Sequence, residues 1–176
     1  AGAASVFLDT GESLSGALLV GCDGRESQTA ARAGIGRGGW SYRQTSLVCA
    51  VEHAAPHHGV AHQFFMPAGP LAILPLPGNR SSIVWTETAA RAAAIGALSP
   101  EAYLAELRPR FGDFLGEIAL AGGRYSYPLA LSLASDLVAP RLALAGDAAH
   151  GLHPLAGQGL NLGLRDVAAL GEVVVT

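Results

Sequence analysis

Residues 146–166 combine an acidic side chain with glycines at a predicted strand-to-helix junction. The short apolar run at residues 141–145 predicts a buried strand that ends just before Asp147. Gly157 and Gly159 precede a run with the apolar spacing of an amphipathic helix. Glycines leave the backbone accessible, and the N–H groups at a helix N-terminus attract negative charge. The pattern therefore predicts a binding site for a polar or anionic group.

A second strand-turn-helix pattern with an acid and a glycine lies near the start of the chain. The apolar run at residues 14–20 predicts a strand, which is followed by Asp23 and Gly24. Ser27 is a plausible N-cap of a short helix. Each acid has an ordinary alternative, because Asp also caps the turn that follows it. For Asp147 the spacing alone supports the ligand-binding and capping interpretations equally.

Histidines cluster in two places, and neither cluster predicts a metal site. No Cys or carboxylate has ligand-like spacing beside the first group, which favours a solvated loop. That group consists of His53, His57, His58 and His62. His150 and His153 flank the turn after Asp147, where they could orient a ligand or serve as ordinary polar loop residues.

Between the two turns, the sequence predicts an antiparallel meander and helices. Short runs rich in β-branched and aromatic residues are separated by Pro/Gly turns, at residues 41–52, 62–66, 71–76 and 81–86. Residues 88–98 predict a helix. Ser99 predicts the start of another, which we expect Pro109 and Gly112 to end. The glycine-rich residues 34–39 predict a loop between subdomains rather than a phosphate site, since no strand precedes them.

The composition excludes several classes of protein. Charged residues make up only 14% of the chain and hydrophobic residues 50%, which excludes disorder. The net charge of -3, without any basic run, gives no indication of a nucleic-acid partner. No apolar stretch approaches the roughly 20 residues that span a bilayer. Cys22 and Cys49 are predicted to be buried thiols, and no nucleophile elbow supports a hydrolase.

The ordered set of motifs resembles the FAD-dependent aromatic hydroxylases. GDAAH at residues 146–150, Pro154, GQGLN at residues 157–161, Gly163 and Asp166 resemble their second flavin-binding motif. GCDG at residues 21–24, together with Ser27, resembles their Asp-Gly motif. Within this group, residues 65–85 are similar to the ubiquinone-biosynthesis hydroxylases.

This resemblance implies an α/β fold, which is α+β for the fragment. Residues 1–36 and 136–176 would belong to a Rossmann-like FAD-binding domain, and residues 37–135 would form an inserted antiparallel-sheet substrate domain. The G-x-G-x-x-G fingerprint of the family is absent. We therefore expect a fragment that by itself binds FAD weakly or not at all.

The resemblance also implies the residues that bind FAD. Asp147 would bind the ribityl or adjacent diphosphate part, while Asp23 and Gly24 would hold the diphosphate region and serve the passage of NAD(P)H. The backbone N–H groups of Leu160 and Asn161 would reach the N1/O2 edge of the flavin. The complete implied set is Asp23, Gly24, Gly146, Asp147, Pro154, Gly157, Gln158, Gly159, Leu160 and Asn161. No catalytic side chain and no metal ligand are assigned.

The reaction implied is reduction of FAD by NAD(P)H, capture of O2 as a flavin C4a-hydroperoxide, and hydroxylation of a prenylated phenol in ubiquinone biosynthesis. The implied location is the cytoplasm, with peripheral association with the inner membrane or a multi-enzyme assembly left open. Two alternatives keep the fold: another FAD-dependent oxidoreductase, such as a halogenase, or a scaffold without turnover. A halogenase would be expected to show a reactive Lys, and this chain has no Lys. Many relatives carry an Arg where this chain has Ala30, so the role of that Arg is not carried over to Arg32.

Overall fold

The computed structural model describes residues 2–175, which divide into two compact units. The first unit contains the described residues up to Trp40 and from Ala130 onward, and the second contains Ser41–Leu129. The assignment of residues 1–36, 37–135 and 136–176 to cofactor and substrate domains stays a prediction.

The described chain contains both strands and helices, as the sequence predicted. The strands are β1 (Ala4–Phe7), β2 (Ser13–Gly16), β3 (Leu19–Gly21), β4 (Arg37–His53), β5 (His62–Met66), β6 (Gly69–Leu76), β7 (Arg80–Thr88), β8 (Ile118–Ala134), β9 (Val138–Ala139), β10 (Leu142–Leu144) and β11 (His150–Gly151). The helices are α1 (Gln28–Arg32), α2 (Ala89–Gly96), α3 (Pro100–Phe111) and α4 (Gln158–Val175), and a 3-10 turn covers Gly146–Ala148.

The first unit is built on a small sheet in which β10 lies between β3 and β9. β3 and β10 are parallel, with Leu144 opposite Gly21, and β9 is antiparallel to β10. A Cβ atom at Gly21 would lie 2.8 Å from Leu144 Cδ2 and 2.9 Å from Thr29 Cγ2. Glycine at this position therefore lets α1 pack directly on the two strands that carry the predicted site.

The second unit is an antiparallel sheet with α2 and α3 packed on one face. β4 pairs with β7, β7 with β6, and β6 with β5. The core on the helical face includes Trp85, Tyr103 and Phe111, each at most 1% exposed. Ser99 caps α3 through a hydrogen bond from Ala102 N–H, as predicted.

Four local predictions are wrong. β4 does not pair with β5, its neighbour in sequence, because β7 takes that edge and only β5, β6 and β7 form a meander. The predicted strand at residues 14–20 is two strands, β2 and β3. Pro109 does not end α3, since a proline in the last turn removes only one hydrogen bond. The helix ends at Gly112, whose φ of 82° suits glycine.

The fourth error concerns residues 34–39, whose second half belongs to β4 rather than to a loop. Gly39 lies so close to β8 that a Cβ atom there would be 2.1 Å from Leu131 O. Its glycine therefore reflects close strand approach and a φ of 155°, not loop flexibility.

Candidate functional site

The structure brings the two acid-bearing turns together at one edge of the small sheet. Because β3 and β10 are parallel neighbours, both strands end on the same side, and Ala145 N–H donates to Gly21 O at 3.0 Å. Asp23 and Asp147 each follow one of these strand ends. Ligands of open α/β sheets bind outside the carboxyl ends of the strands. The edge is therefore the candidate site.

Asp147 leaves its carboxylate accessible to a ligand. It lies in the 3-10 turn Gly146–Ala148, whose N-cap is Ala145 and which has no side-chain cap. The side chain is 47% exposed, and its carboxylate lies 3.8 Å from Arg25 Nη2. The structure shows no side-chain cap on this turn, and the ligand-binding interpretation of Asp147 stays a prediction.

Asp166 fixes the start of this turn from the helix α4. Its Oδ2 accepts the N–H of Gly146 at 2.8 Å and a hydrogen bond from His150 Nε2 at 2.7 Å. Gly146 has a φ of 62°, a conformation in which glycine carries no Cβ penalty. Asp166 is thus a structural acceptor rather than a solvent-facing acid, and His150 serves that link. Burial lowers the pKa of His153.

Asp23 holds the start of α1. Its Oδ1 accepts from Ser27 Oγ at 2.6 Å, its Oδ2 accepts from Thr29 N–H at 2.9 Å, and Ser27 Oγ caps Ala30 N–H as predicted. Desolvation acts to raise the pKa of Asp23, but these hydrogen bonds to the charged form outweigh it and lower the pKa to about 2. Gly24 follows with a φ of 83°. Asp23 is therefore ionised, and both of its oxygens already hold the turn.

The loop before α4 presents backbone donors. Leu155 N–H donates to His153 O at 2.7 Å across Pro154, whose fixed φ suits such a tight turn. Ala156 and Gly157 then have φ values of 50° and 66°. A non-glycine residue in this conformation is strained, and such strain concentrates at functional sites.

The first N–H groups of α4 are only partly used. Gln158 N–H donates to Leu155 O at 3.2 Å and Asn161 N–H to Gly157 O at 3.3 Å. Between residues 2 and 175 no acceptor is found for the N–H groups of Gly159 and Leu160. The Asn161 N–H thus already has an acceptor within the chain, and the assignment of the Leu160 and Asn161 N–H groups to the flavin edge stays a prediction.

Sequence reasoning missed two arginines that grip this turn. Arg37 donates from Nη1 to Ala148 O, from Nη2 to Asp147 O at 3.1 Å and from Nε to Ser132 Oγ at 2.9 Å. Arg25 lies beside the Asp147 carboxylate. No local signal marks either residue, because their partners lie more than 90 positions away in the chain.

In the histidine group near residue 53, His53 and His57 make structural hydrogen bonds, whereas His58 is exposed in a turn, as a solvated loop predicts. His53 is buried rather than solvated, and it donates from Nδ1 to Ala55 O and accepts from Ser81 Oγ at Nε2. His57 donates from Nε2 to Leu76 O. No group of three potential metal ligands occurs in the part of the chain that the structure describes. Of the two cysteines, Cys49 is buried as predicted, whereas Cys22 is exposed because it lies in the turn after β3.

The site fits the flavin cofactor that the resemblance implies. An exposed carboxylate at Asp147 can accept hydrogen bonds from the hydroxyls of a ribityl chain. The N–H groups of Gly159 and Leu160, at the positive end of an 18-residue helix, can donate to ring oxygen and nitrogen atoms.

No helix within residues 2–175 has the length and apolar character to cross a bilayer.

Comparison with known proteins agrees with this chemistry. The chain is 53% identical to ubiquinone hydroxylase UbiL of Rhodospirillum rubrum over 97% of its length, and 41% identical to 3-demethoxyubiquinol 3-hydroxylase of Escherichia coli over 96%. It covers 40% and 43% of these relatives, so it spans about two-fifths of their length.

Solved structures show the same fold. PqsL of Pseudomonas aeruginosa, solved in complex with 2-aminobenzoylacetate, superposes with a TM-score of 0.77 at 22% identity, covering 96% of this chain and 48% of PqsL. The flavin-dependent halogenase CmlS gives 0.73 at 19% identity, covering 94% and 32%. The family described as "FAD binding domain" matches residues 3–175. The chain therefore belongs to the FAD-binding domain family.

Proposed function

We propose that this chain is part of an FAD- and NAD(P)H-dependent monooxygenase that hydroxylates a prenylated phenolic ring in ubiquinone biosynthesis. One observation carries the proposal: Asp147 leaves an exposed carboxylate in the turn after β10, in a chain 53% identical to a ubiquinone hydroxylase. The similarity to flavin-dependent halogenases is 17–20% identity and indicates the fold alone.

In this proposal, both acid-bearing turns and the start of the helix α4 have a role. Asp147 accepts hydrogen bonds from the ribityl hydroxyls, and the turn at Asp23 and Gly24 lies at the diphosphate. The N–H groups of Gly159 and Leu160 face the N1/O2 edge of the ring. Bound FAD, once reduced by NAD(P)H, would supply the activation of O2. The helix α4 stabilises the negative charge that the reduced ring gathers at this edge.

The open face of the second unit offers an apolar surface for the substrate. Val48 and Ala72 both lie opposite Val84 across neighbouring strand pairs, so the three side chains share one face. They are partly exposed, whereas Leu47 and Trp85 point into the core on the other face. We propose that this apolar row contacts the aromatic ring or prenyl chain of the substrate and helps to exclude water.

The prenyl chain also bears on where the enzyme works. A polyprenylated phenol partitions into membranes, so we propose peripheral association with the inner membrane, or with other enzymes of the same pathway, from the cytoplasmic side.

Substrate-dependent oxidation of NAD(P)H by the full-length protein tests the proposal. We expect a prenylated phenol to stimulate oxidation and to gain one oxygen atom from 18O2, detected by mass spectrometry. Oxidation without 18O in the product would favour another flavin-dependent oxidoreductase. No oxidation with bound FAD would favour a scaffold. Either outcome would overturn the proposed reaction.

A further inference from the structure

Arg25 joins the two turns that carry the acidic residues. It follows Gly24 directly in the chain, but its side chain reaches the segment around the other turn, where Nη2 donates to the O atom of Leu152, just after β11, at 3.2 Å. The same nitrogen lies 3.8 Å from Asp147 Oδ2. The Arg25 side chain is 33% exposed, so most of it is packed against the protein.

Gly151 provides the surface on which Arg25 rests. A Cβ atom at this position would lie 2.6 Å from Arg25 Nε and 3.2 Å from Cζ. Gly151 is buried in β11 and is absent from the positions with positive φ, so its backbone does not require glycine. The absence of a side chain at residue 151 is therefore explained by the space that Arg25 occupies.

The contact with Arg25 restrains the Asp147 carboxylate but leaves its oxygens able to accept hydrogen bonds from a ligand. At 3.8 Å the two groups form an ion pair that is longer than a direct hydrogen bond. Asp147 thus keeps acceptor positions for a ligand, while the positive charge of Arg25 limits its repulsion of anionic groups nearby. Because both side chains are partly exposed, solvent weakens the charge term. In this account, Arg25 contributes to the site more by orienting the Asp147 carboxylate than by its charge.

We propose that Arg25 is a positioning residue for the flavin: it holds the Asp147 carboxylate and the Leu152 carbonyl in the arrangement that receives the ribityl chain. This inference rests on the proposed FAD site and goes beyond it, since it assigns a role to a residue for which the resemblance implies none. Arg37 differs because it grips backbone carbonyls of the same turn. Loss of Arg37 should destabilise the fold, whereas loss of Arg25 should mainly weaken ligand binding.

The test is a flavin-fluorescence titration of full-length apoprotein, combined with its thermal unfolding. We expect Arg25→Met to raise the Kd for FAD about tenfold or more, with little change in the unfolding temperature of the apoprotein. Arg25→Lys keeps the positive charge, so its Kd should lie between those of wild-type protein and Arg25→Met. Arg32→Met, at an exposed arginine in the last turn of α1, is the matched control and should leave the Kd unchanged.

A double-mutant cycle separates positioning from general damage. Gly151→Ala should displace the guanidinium and raise the Kd, and this effect should shrink when it is combined with Arg25→Met. Independent effects of the two substitutions, or an unchanged Kd in Arg25→Met, would overturn the inference. Wild-type protein that fails to bind FAD would overturn the proposed function as well. If Arg25→Met does not fold, Arg25→Lys and Gly151→Ala give the same decision.

Discussion

Different kinds of contact stabilise the two units of this protein internally. The second unit has a core of large side chains, including Trp85, Tyr103 and Phe111. The core of the first unit consists of smaller side chains: Ala30, Ile35, Leu142, Leu144 and Ala149. No residue of α4 is buried, and Leu160 is 72% exposed. Apolar burial thus stabilises the second unit most, because its contribution grows with the apolar area removed from water.

The first unit relies instead on polar contacts at its turns. Arg37 holds backbone carbonyls, Asp166 receives two hydrogen bonds, and Asp23 caps a helix. Such contacts fix geometry more than they add stability, because each replaces a hydrogen bond to water. Apolar packing is therefore the main stabilising contact in the unit with the proposed substrate surface. In the unit with the proposed flavin site, hydrogen bonds fix the geometry of the turns.

The largest effect is expected in the core of the second unit. Trp85→Ala should lower the free energy of unfolding by about 3–5 kcal/mol, because it leaves a cavity and removes the ring beneath Arg110. Urea denaturation measures the loss. Phe65→Ala is the control, since that ring is 77% exposed and its removal should cost less than about 0.5 kcal/mol. Equal losses in the two variants would contradict the packing account.

A smaller loss is expected where two strands of the first unit approach closely. Gly39→Ala places a methyl group against Leu131 O and should cost about 3 kcal/mol. Its neighbour Gly38 has open space around a built Cβ atom, so Gly38→Ala should be close to neutral or slightly stabilising. Thermal unfolding of both variants measures the difference. A tolerated Gly39→Ala would show that the strands can separate.

Loss of the acceptor on α4 should cost less again. Asp166→Ala leaves Gly146 N–H and His150 Nε2 without their shared partner and should lower stability by about 2 kcal/mol. Hydrogen exchange at the Gly146 amide should accelerate in this variant. Unchanged exchange would mean that another group holds the turn.

The smallest effect is a pH dependence at Asp23. Its folded-state pKa of about 2 lies below the usual value, so its contribution to stability is fully present above about pH 4. That contribution is lost as the pH falls through about 2. A carboxyl NMR titration should place the midpoint near 2 in wild-type protein and at a higher pH in Ser27→Ala, which loses one of the hydrogen bonds that lower the pKa. An ordinary midpoint in wild-type protein would contradict the capping geometry.

Local patterns predicted much of this structure. Ser27 and Ser99 were identifiable as N-caps because a cap needs only nearby residues, and the helix after Gly157 followed from its apolar spacing. The strand predicted at residues 141–145 is confirmed by β10, which covers Leu142–Leu144.

The remaining features depend on contacts that spacing does not reveal. The order of β4, β7, β6 and β5 is set by packing across the sheet. Arg25 and Arg37 act on residues more than 100 positions away. The use of Asn161 N–H within α4 depends on the local backbone geometry of the loop before it. The motifs thus identified the site, but not the side chains that hold it in shape.

The central claim is that the turn after β10 binds FAD through Asp147. The most direct measurement is the Kd for FAD of full-length wild-type protein and of Asp147→Asn, with Asp136→Asn as the control at an exposed acid of the same unit. We expect Asp147→Asn to raise the Kd about tenfold and Asp136→Asn to leave it unchanged. Equal affinity in all three proteins would contradict the assignment of this turn to the flavin.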